Sequence, residues 1–244
     1  MNELKLDPRR TAIVVIDLQK GIVAMAAGAP HTTPSVVANC VDLLTAGRRT
    51  GAHPVLVHVG GSPNGADLLH PIADEPMRGT AALPPDWSDL LPELGSSPSD
   101  TVILKRQWGA FYGTELDLQL RRRGLTTIIL CGIATEFGVE STAREAYERG
   151  YELILAEDAM TGRNAESHAN AIRHIFPRIG RVRRTEEIVA ALGAGIGGHR
   201  TGFPNSTGDV TAYYGGWFRC SESRLQHFGP AERGHVRRRS AGRL

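Results

Sequence analysis

The sequence predicts an α/β fold of three layers, a six-stranded parallel, Rossmann-like sheet between two layers of helices, and three observations predict it. Apolar runs of strand length alternate with helical periodicity six times between residues 11 and 192. The runs are continuous and rich in β-branched residues, as expected of parallel strands buried on both faces. No internal repeat interrupts the order, so each β-then-α step adds one more strand to the same sheet.

The first strand is "TAIVVID" (11–17), a β-branched run. "PSVVANCVDLLTAGRRTG" (34–51) follows as a helix that places Val36, Val37, Cys40, Leu43 and Leu44 on one face and stops at Gly51. "HPVLVHV" (53–59) is the second strand. From Gly60 to Pro85 the chain is polar and rich in Gly and Pro, with too little apolar surface for a core element, so a loop over a site is expected there. "DTVILK" (100–105) is the third strand, and "GTELDLQLRRRG" (113–124) a helix with Leu116, Leu118 and Leu120, closed by Gly124. "LTTIILCG" (125–132) is the fourth strand, followed by a helix in which Val139, Thr142, Ala143 and Ala146 recur at helical spacing. "YELILAED" (151–158) is the fifth strand, with Asp158 expected to cap the loop after it, and "AESHANAIRHIF" (165–176) a helix. "IGRVRR" (179–184) is a short sixth strand, and "TEEIVAAL" (185–192) a last helix whose Thr185 and Glu187 suit a first turn.

Composition bounds the function. The chain has 244 residues, 41% apolar and 22% charged, enough for one sizeable core. The start lacks the basic and apolar regions of a signal peptide and no apolar stretch reaches a membrane span, so a cytoplasmic protein with no membrane partner is expected. Cys40, Cys131 and Cys220 are widely spaced with no CxxC pair, which argues against a disulfide framework or a zinc site. Charge divides the chain: residues 1–194 hold 20 Lys+Arg against 23 Asp+Glu, residues 195–244 hold 8 against 3. With 10 glycines and no sustained periodicity, 195–244 is expected to be a disordered extension of a domain spanning 1–194. A basic tail without a recognised binding motif is weak evidence for nucleic acid, and no nucleic-acid partner is expected.

Open parallel sheets bind ligands beyond the carboxyl ends of their strands. Asp17 ends the first strand, Lys105 ends the third, and the turn 132–138 ends the fourth. An aspartate, one of only three lysines and a turn at one sheet edge point to a catalytic site. "DLQKG" stands after the first strand where a GxGxxG or P-loop would stand, so a nucleotide-binding domain has no support. His58 ends the second strand without a metal-binding pattern around it, and no metal is expected. His168, inside a helix, is expected to be a structural hydrogen-bonding histidine, and Cys131, inside an apolar strand, a core residue.

"VVIDLQKG", "LKRQWGAFYGTELDLQLRRRG", "CGIATEFGVESTAREAYERGY" and "LAEDAMTG" together resemble the isochorismatase-like hydrolases over roughly residues 8–192, in order and in spacing. The resemblance implies a three-layer αβα fold, a homodimer or higher homo-oligomer, no cofactor, a small-molecule substrate and a non-proline cis peptide near Ile133 and Ala134. In the cysteine-hydrolase branch it implies an Asp, Lys, Cys triad. Asp17 and Lys105 match the first two members, but the third position is Gly138. No thiol is there to form a covalent intermediate, and Glu136 stands where the family usually has Asn or Asp. The chain looks closest to a cysteine-lacking branch carrying "GIAT..GVESTAR".

A helix start leaves backbone N–H groups free and carries partial positive charge, so "ATEFG" reads as an anion or oxyanion cradle that Gly138 leaves uncrowded. Asp17 could serve as general base toward water or as general acid toward an enol ether. Lys105 could be its charged partner or an anchor for a substrate carboxylate. The resemblance places the loop after Lys105 at the pocket mouth. Trp108 and Phe111 are candidates there for packing against a flat substrate or for the core, and Gln107 or Arg106 for hydrogen-bonding it. Ala134, Thr135, Glu136 and Phe137 complete the substrate-contact candidates. The expected activity is hydrolysis of a small amide, ureide or isochorismate-like compound without covalent cysteine catalysis. The rival is a non-catalytic binding protein on the same fold, which would show ligand-induced melting shifts without turnover.

Overall fold

The computed structural model describes residues 4–195, apart from 63, 70 and 76–82. The disorder expected of the C-terminal extension therefore lies outside the described residues. β1 (Thr11–Ile16) is buried along its whole length, and β4 (Thr127–Ile133) beside it is too. β2 (His53–Val59) and β3 (Thr101–Lys105) extend the sheet on one side, β5 (Glu152–Thr161) and β6 (Arg181–Arg183) on the other. The order is β3-β2-β1-β4-β5-β6, with every pairing parallel. The predicted six-stranded sheet is thus present, and the two strands with unbroken β-branched runs lie at its centre.

Helices cover both faces. On one, α2 (Thr33–Thr50) and α7 (Thr185–Ala194) pack Val36, Cys40, Leu43, Leu44, Ile188 and Leu192 against Ile13, Val15, Leu56 and Ile129. On the other, α3 (Leu116–Arg122), α4 (Glu140–Glu148) and the segment from α5 (Ala165–Asn170) to α6 (Phe176–Ile179) pack Leu116, Leu120, Ala143, Ala146 and Phe176 against Val14, Ile16, Val57 and Leu130. β3, at the edge, is covered on one side only: Thr101, Ile103 and Lys105 point inward, while Val102 and Leu104 are exposed.

Local backbone chemistry sets the boundaries that differ from expectation. Gly113 adopts φ +67 and the turn through Glu115 delays α3 to Leu116. The helix expected over 165–176 is broken by a π-turn at Ala171–Ile175, ahead of Pro177, whose ring cannot donate an amide. A short helix α1 (Lys20–Met25), with no side-chain cap, was not predicted, because "KGIVAM" is too brief to show a period. β5 runs to Thr161, since a register shift matches Leu130 to Leu155 but Gly132 to Met160. Asp158 therefore lies within the strand and caps no following loop. Its Oδ1 accepts hydrogen bonds from the Thr185 N–H and hydroxyl at 2.8 Å each, fixing the start of α7.

Candidate active site

The sheet delivers Asp17 and Lys105 to one point although β2 separates their strands. Asp17 follows β1 directly in a left-handed conformation (φ 52), and its N–H donates to the Val57 carbonyl of β2 at 2.8 Å. Lys105 closes β3 with 1% of its surface exposed. Its Nζ lies 2.7 Å from Asp17 Oδ2 and donates to the Trp108 carbonyl at 2.6 Å. The second oxygen, Asp17 Oδ1, is buried and has no hydrogen-bond partner among the described residues. Burial pushes the Asp17 pKa from 3.8 up to about 6, against the opposing pull of the Lys105 ammonium and, more weakly, of His58.

Gly138 faces this pair. It lies in a π-turn, Thr135–Val139, that leads from the end of β4 into α4. A Cβ at Gly138 would fall 3.0 Å from Asp17 Oδ2, 3.1 Å from Lys105 Nζ and 2.8 Å from Ile16 Cγ2. The three residues named from sequence therefore converge, with the glycine's missing side chain aimed at the carboxylate and the ammonium. The turn follows a cis peptide at Ile133–Ala134, as the resemblance implied. The Ala134 carbonyl accepts from the N–H groups of Phe137 and Val139, while those of Thr135 and Glu136 have no acceptor among the described residues.

The remaining candidates divide. Trp108 is half exposed and packs against Phe137 with the rings tilted by 55° and their centroids 4.8 Å apart, while its carbonyl accepts from Lys105 Nζ. Phe111 is buried in the core with its ring 5.8 Å from that of Tyr151, and the structure does not bring it to the pair. Gln107 uses its amide to fasten its own loop, donating to the carbonyls of Gly109 and Tyr112. Arg106 pairs with Asp67. Thr135 is fully buried and its hydroxyl lies 2.9 Å from His168 Nδ1, so the structure ties it to α5. Burial, and secondarily the charge of His31, pushes the His168 pKa down to about 4, in keeping with a structural histidine. Glu136 accepts the Arg163 N–H on Oε1, leaving Oε2 buried without a partner among the described residues. Cys131 is fully buried, packed on the α2 side of the sheet.

Two residues that sequence reasoning missed shape the site. Gly132 has φ +114, and a Cβ there would lie 2.1 Å from the Ile16 carbonyl oxygen, so only glycine lets β4 approach β1 just before Asp17. The signal was a glycine inside an apolar strand run. Gln19, two residues beyond Asp17, is fully buried and bridges backbone groups of two other segments. A lone glutamine after a strand carries no signal of that kind.

This three-layer sheet, with a carboxylate and a lysine meeting under the turn after β4, is the architecture of an isochorismatase-type hydrolase. Residues 11–187 match the isochorismatase domain family, and the chain belongs to that family. It is 51% identical over 189 residues to the uncharacterised isochorismatase family protein YecD of Escherichia coli O157:H7, covering 78% of this chain and all of that protein. An isochorismatase family protein of Burkholderia thailandensis superposes with a TM-score of 0.74 at 43% identity, over 79% of this chain and 100% of that one. The chain is also 32% identical to the ureidoacrylate amidohydrolase RutB of Methylobacterium radiotolerans, over 78% of this chain and 82% of that enzyme. Among the described residues no helix is long and apolar enough to cross a membrane.

Proposed function

We propose that the protein is a hydrolase of small carbonyl compounds of the amide or ureide type, with isochorismate-like enol ethers as the second substrate class, and that it works without a covalent cysteine intermediate. The observation that carries this reading is the buried Asp17–Lys105 pair, 2.7 Å apart, lying directly under Gly138. Similarity to RutB favours amide-type substrates. The reading takes glycine at 138, where the resemblance implies the triad cysteine, as the mark of a cysteine-lacking branch of the family.

In this mechanism the substrate enters past Trp108 and Phe137 with its carbonyl oxygen toward the turn. Free N–H groups at the start of the turn and the partial positive charge of the helix beginning there stabilise the developing oxyanion. Above pH about 6 Asp17 is ionised, takes a proton from water as that water attacks the carbonyl carbon, and returns the proton to the departing nitrogen. Lys105 holds the carboxylate in place and, through the Trp108 carbonyl, fixes the aromatic mouth. In an enol ether the same group, protonated below about 6, donates to the methylene carbon.

The test measures wild type, Asp17→Asn and Lys105→Ala on amides, ureides and isochorismate. Turnover of at least one class is expected from wild type, lost on either substitution, with an amide or ureide rate that rises through pH about 6. Turnover unchanged in both variants refutes the site. Melting shifts without turnover on any compound would instead identify a binding protein.

A further inference from the structure

We propose that Gln19 is the positioning residue that sets the separation of Asp17 and Lys105, by tying the turn that carries Asp17 to the end of β2. The primary amide serves both backbone groups of one residue. Gln19 Oε1 accepts from the Val59 N–H at 2.7 Å, and Nε2 donates to the Val59 carbonyl at 2.9 Å and to the Trp87 carbonyl at 3.2 Å. The side chain is fully buried, so each of these groups would be costly to leave unpaired.

Val59 is the residue through which such a tie reaches the pair. It is the register partner of Lys105 across β2 and β3, and the next N–H, of Gly60, donates to the Lys105 carbonyl at 3.0 Å. On its other side the β2 end receives the Asp17 N–H at Val57. The last residues of β2 thus act as a spacer between the two functional residues, and Gln19 clamps the spacer to the Asp17 turn. Asp17 needs such a clamp: a left-handed conformation is unfavourable for a non-glycine residue and persists where its surroundings enforce it.

The segment 84–91 locks the arrangement from outside. The N–H groups of Lys20 and Gly21 donate to the carbonyls of Asp89 and Trp87 at 2.9 Å each, and the Leu91 N–H donates to the Leu18 carbonyl at 3.0 Å. The Trp87 indole covers Gly21 so closely that a Cβ there would sit 2.0 Å from its ring. An amide at position 19 therefore meets three backbone groups held in fixed places. A hydroxyl is too short to bridge them, and a carboxylate lacks the donor that two carbonyls require.

The charged groups that face Asp17 are Lys105 from β3 and His58 from β2, whose Nδ1 is held 2.7 Å from the Ser88 carbonyl. The turn before α4 presents uncharged Gly138, and Lys20 on α1 pairs at the surface with Asp86 and Asp89 of the outer segment. Loosening the clamp thus acts on Asp17 chiefly through Lys105.

The inference rests on Asp17 and Lys105 being the working pair, but its test needs no turnover. The Asp17 carboxyl carbon is followed by NMR against pH in the full-length protein, identified by its loss in Asp17→Asn, for wild type, Gln19→Leu and Gln19→Asn. Leucine keeps the position filled and dry while freeing the β2 end, so the lowering pull of Lys105 weakens and the midpoint should rise from about 6 by roughly one pH unit, a tenfold change in proton affinity. Gln19→Asn, too short to span, should move it in the same direction and serves alone if the leucine variant does not fold. Val36→Ala, a remote core truncation, should lower the melting temperature and leave the midpoint in place. A midpoint that stays put in the Gln19 variants while the melting temperature falls overturns the proposal and leaves Gln19 a stabilising residue only. A midpoint that drops toward 3.8 also overturns it, because the residue would then act by excluding water. Failure to find any substrate would refute the hydrolase reading and leave this titration result standing.

Discussion

Replacing His168 by glutamine should make the protein less sensitive to acid than wild type. Two buried groups pull its pH dependence in opposite directions. Asp17 has its folded pKa raised from 3.8 to about 6, so the folded state binds the proton first as pH falls. Its contribution is absent above about 6 and complete below 3.8, worth up to about 3 kcal/mol at 1.4 kcal/mol per pKa unit. His168 has its folded pKa lowered from 6.5 to about 4, so its contribution is complete above 6.5 and lost as pH falls toward 4. That loss is up to about 3 kcal/mol, reduced to roughly 2 once residual solvent screening is allowed for. Between pH 6.5 and 4 these two contributions nearly cancel. Glutamine keeps a hydrogen-bonding group for Thr135 and removes the titration, which unmasks Asp17. Urea unfolding at pH 7, 5.5 and 4, with the m-value checked for constancy, reads the difference. His168→Gln should gain about 2 kcal/mol on wild type between the two ends of that range. His53, whose pKa is also pushed down by burial, is common to both proteins and drops out of the comparison. Parallel profiles for the two proteins would refute the reasoning, and with it the buried neutral histidine.

Gly138→Ala should cost about 1–3 kcal/mol of stability, because its methyl group would press on Ile16, Asp17 and Lys105 at 2.8–3.1 Å, and it should cut any kcat/KM at least tenfold by parting the pair; thermal unfolding and steady-state kinetics check the two parts. Trp108→Ala should raise KM with kcat and melting temperature little changed, since the ring is half exposed and packs on Phe137 alone among the described aromatic rings. A fall in kcat at constant KM would place Trp108 nearer the chemistry than the mouth. Phe111→Ala should do the reverse, costing about 3–5 kcal/mol in urea unfolding without a selective effect on KM, because its ring lies in the core.

The sheet was legible because burial on two faces writes itself into composition: "TAIVVID" and "LTTIILCG" have no polar side to lose, and they occupy the centre. Edge strand β3 was legible from its apolar run "DTVILK", although which of its residues face inward was not. What escaped was whatever depends on partners distant in sequence. Whether Phe111 faces a pocket or Tyr151 is decided by a residue 40 positions away. The extension of β5 past Asp158 is decided by its pairing with Gly132 and Ile133. Residue type alone left Trp108 and Phe111 equivalent, yet one is half exposed beside Phe137 and the other lies in the core.

The absence of a side chain at 138 and the closeness of Asp17 to Lys105 are parts of one arrangement. A buried ion pair must recover a large desolvation cost, and it does so only at short range and with its remaining hydrogen-bonding capacity used. Lys105 meets that condition through the Trp108 carbonyl, but Asp17 does so by half, with Oδ1 unpaired among the described residues, while burial raises its pKa to about 6. The unpaired oxygen is where a proton would be carried, and the space against Gly138 is too small for a Cβ without displacement of the pair. A side chain there would need the Ile16 methyl, the carboxylate or the ammonium to give by a few tenths of an ångström. In the mechanism we propose, with no nucleophilic side chain at 138 to assist, the carboxylate itself moves the proton.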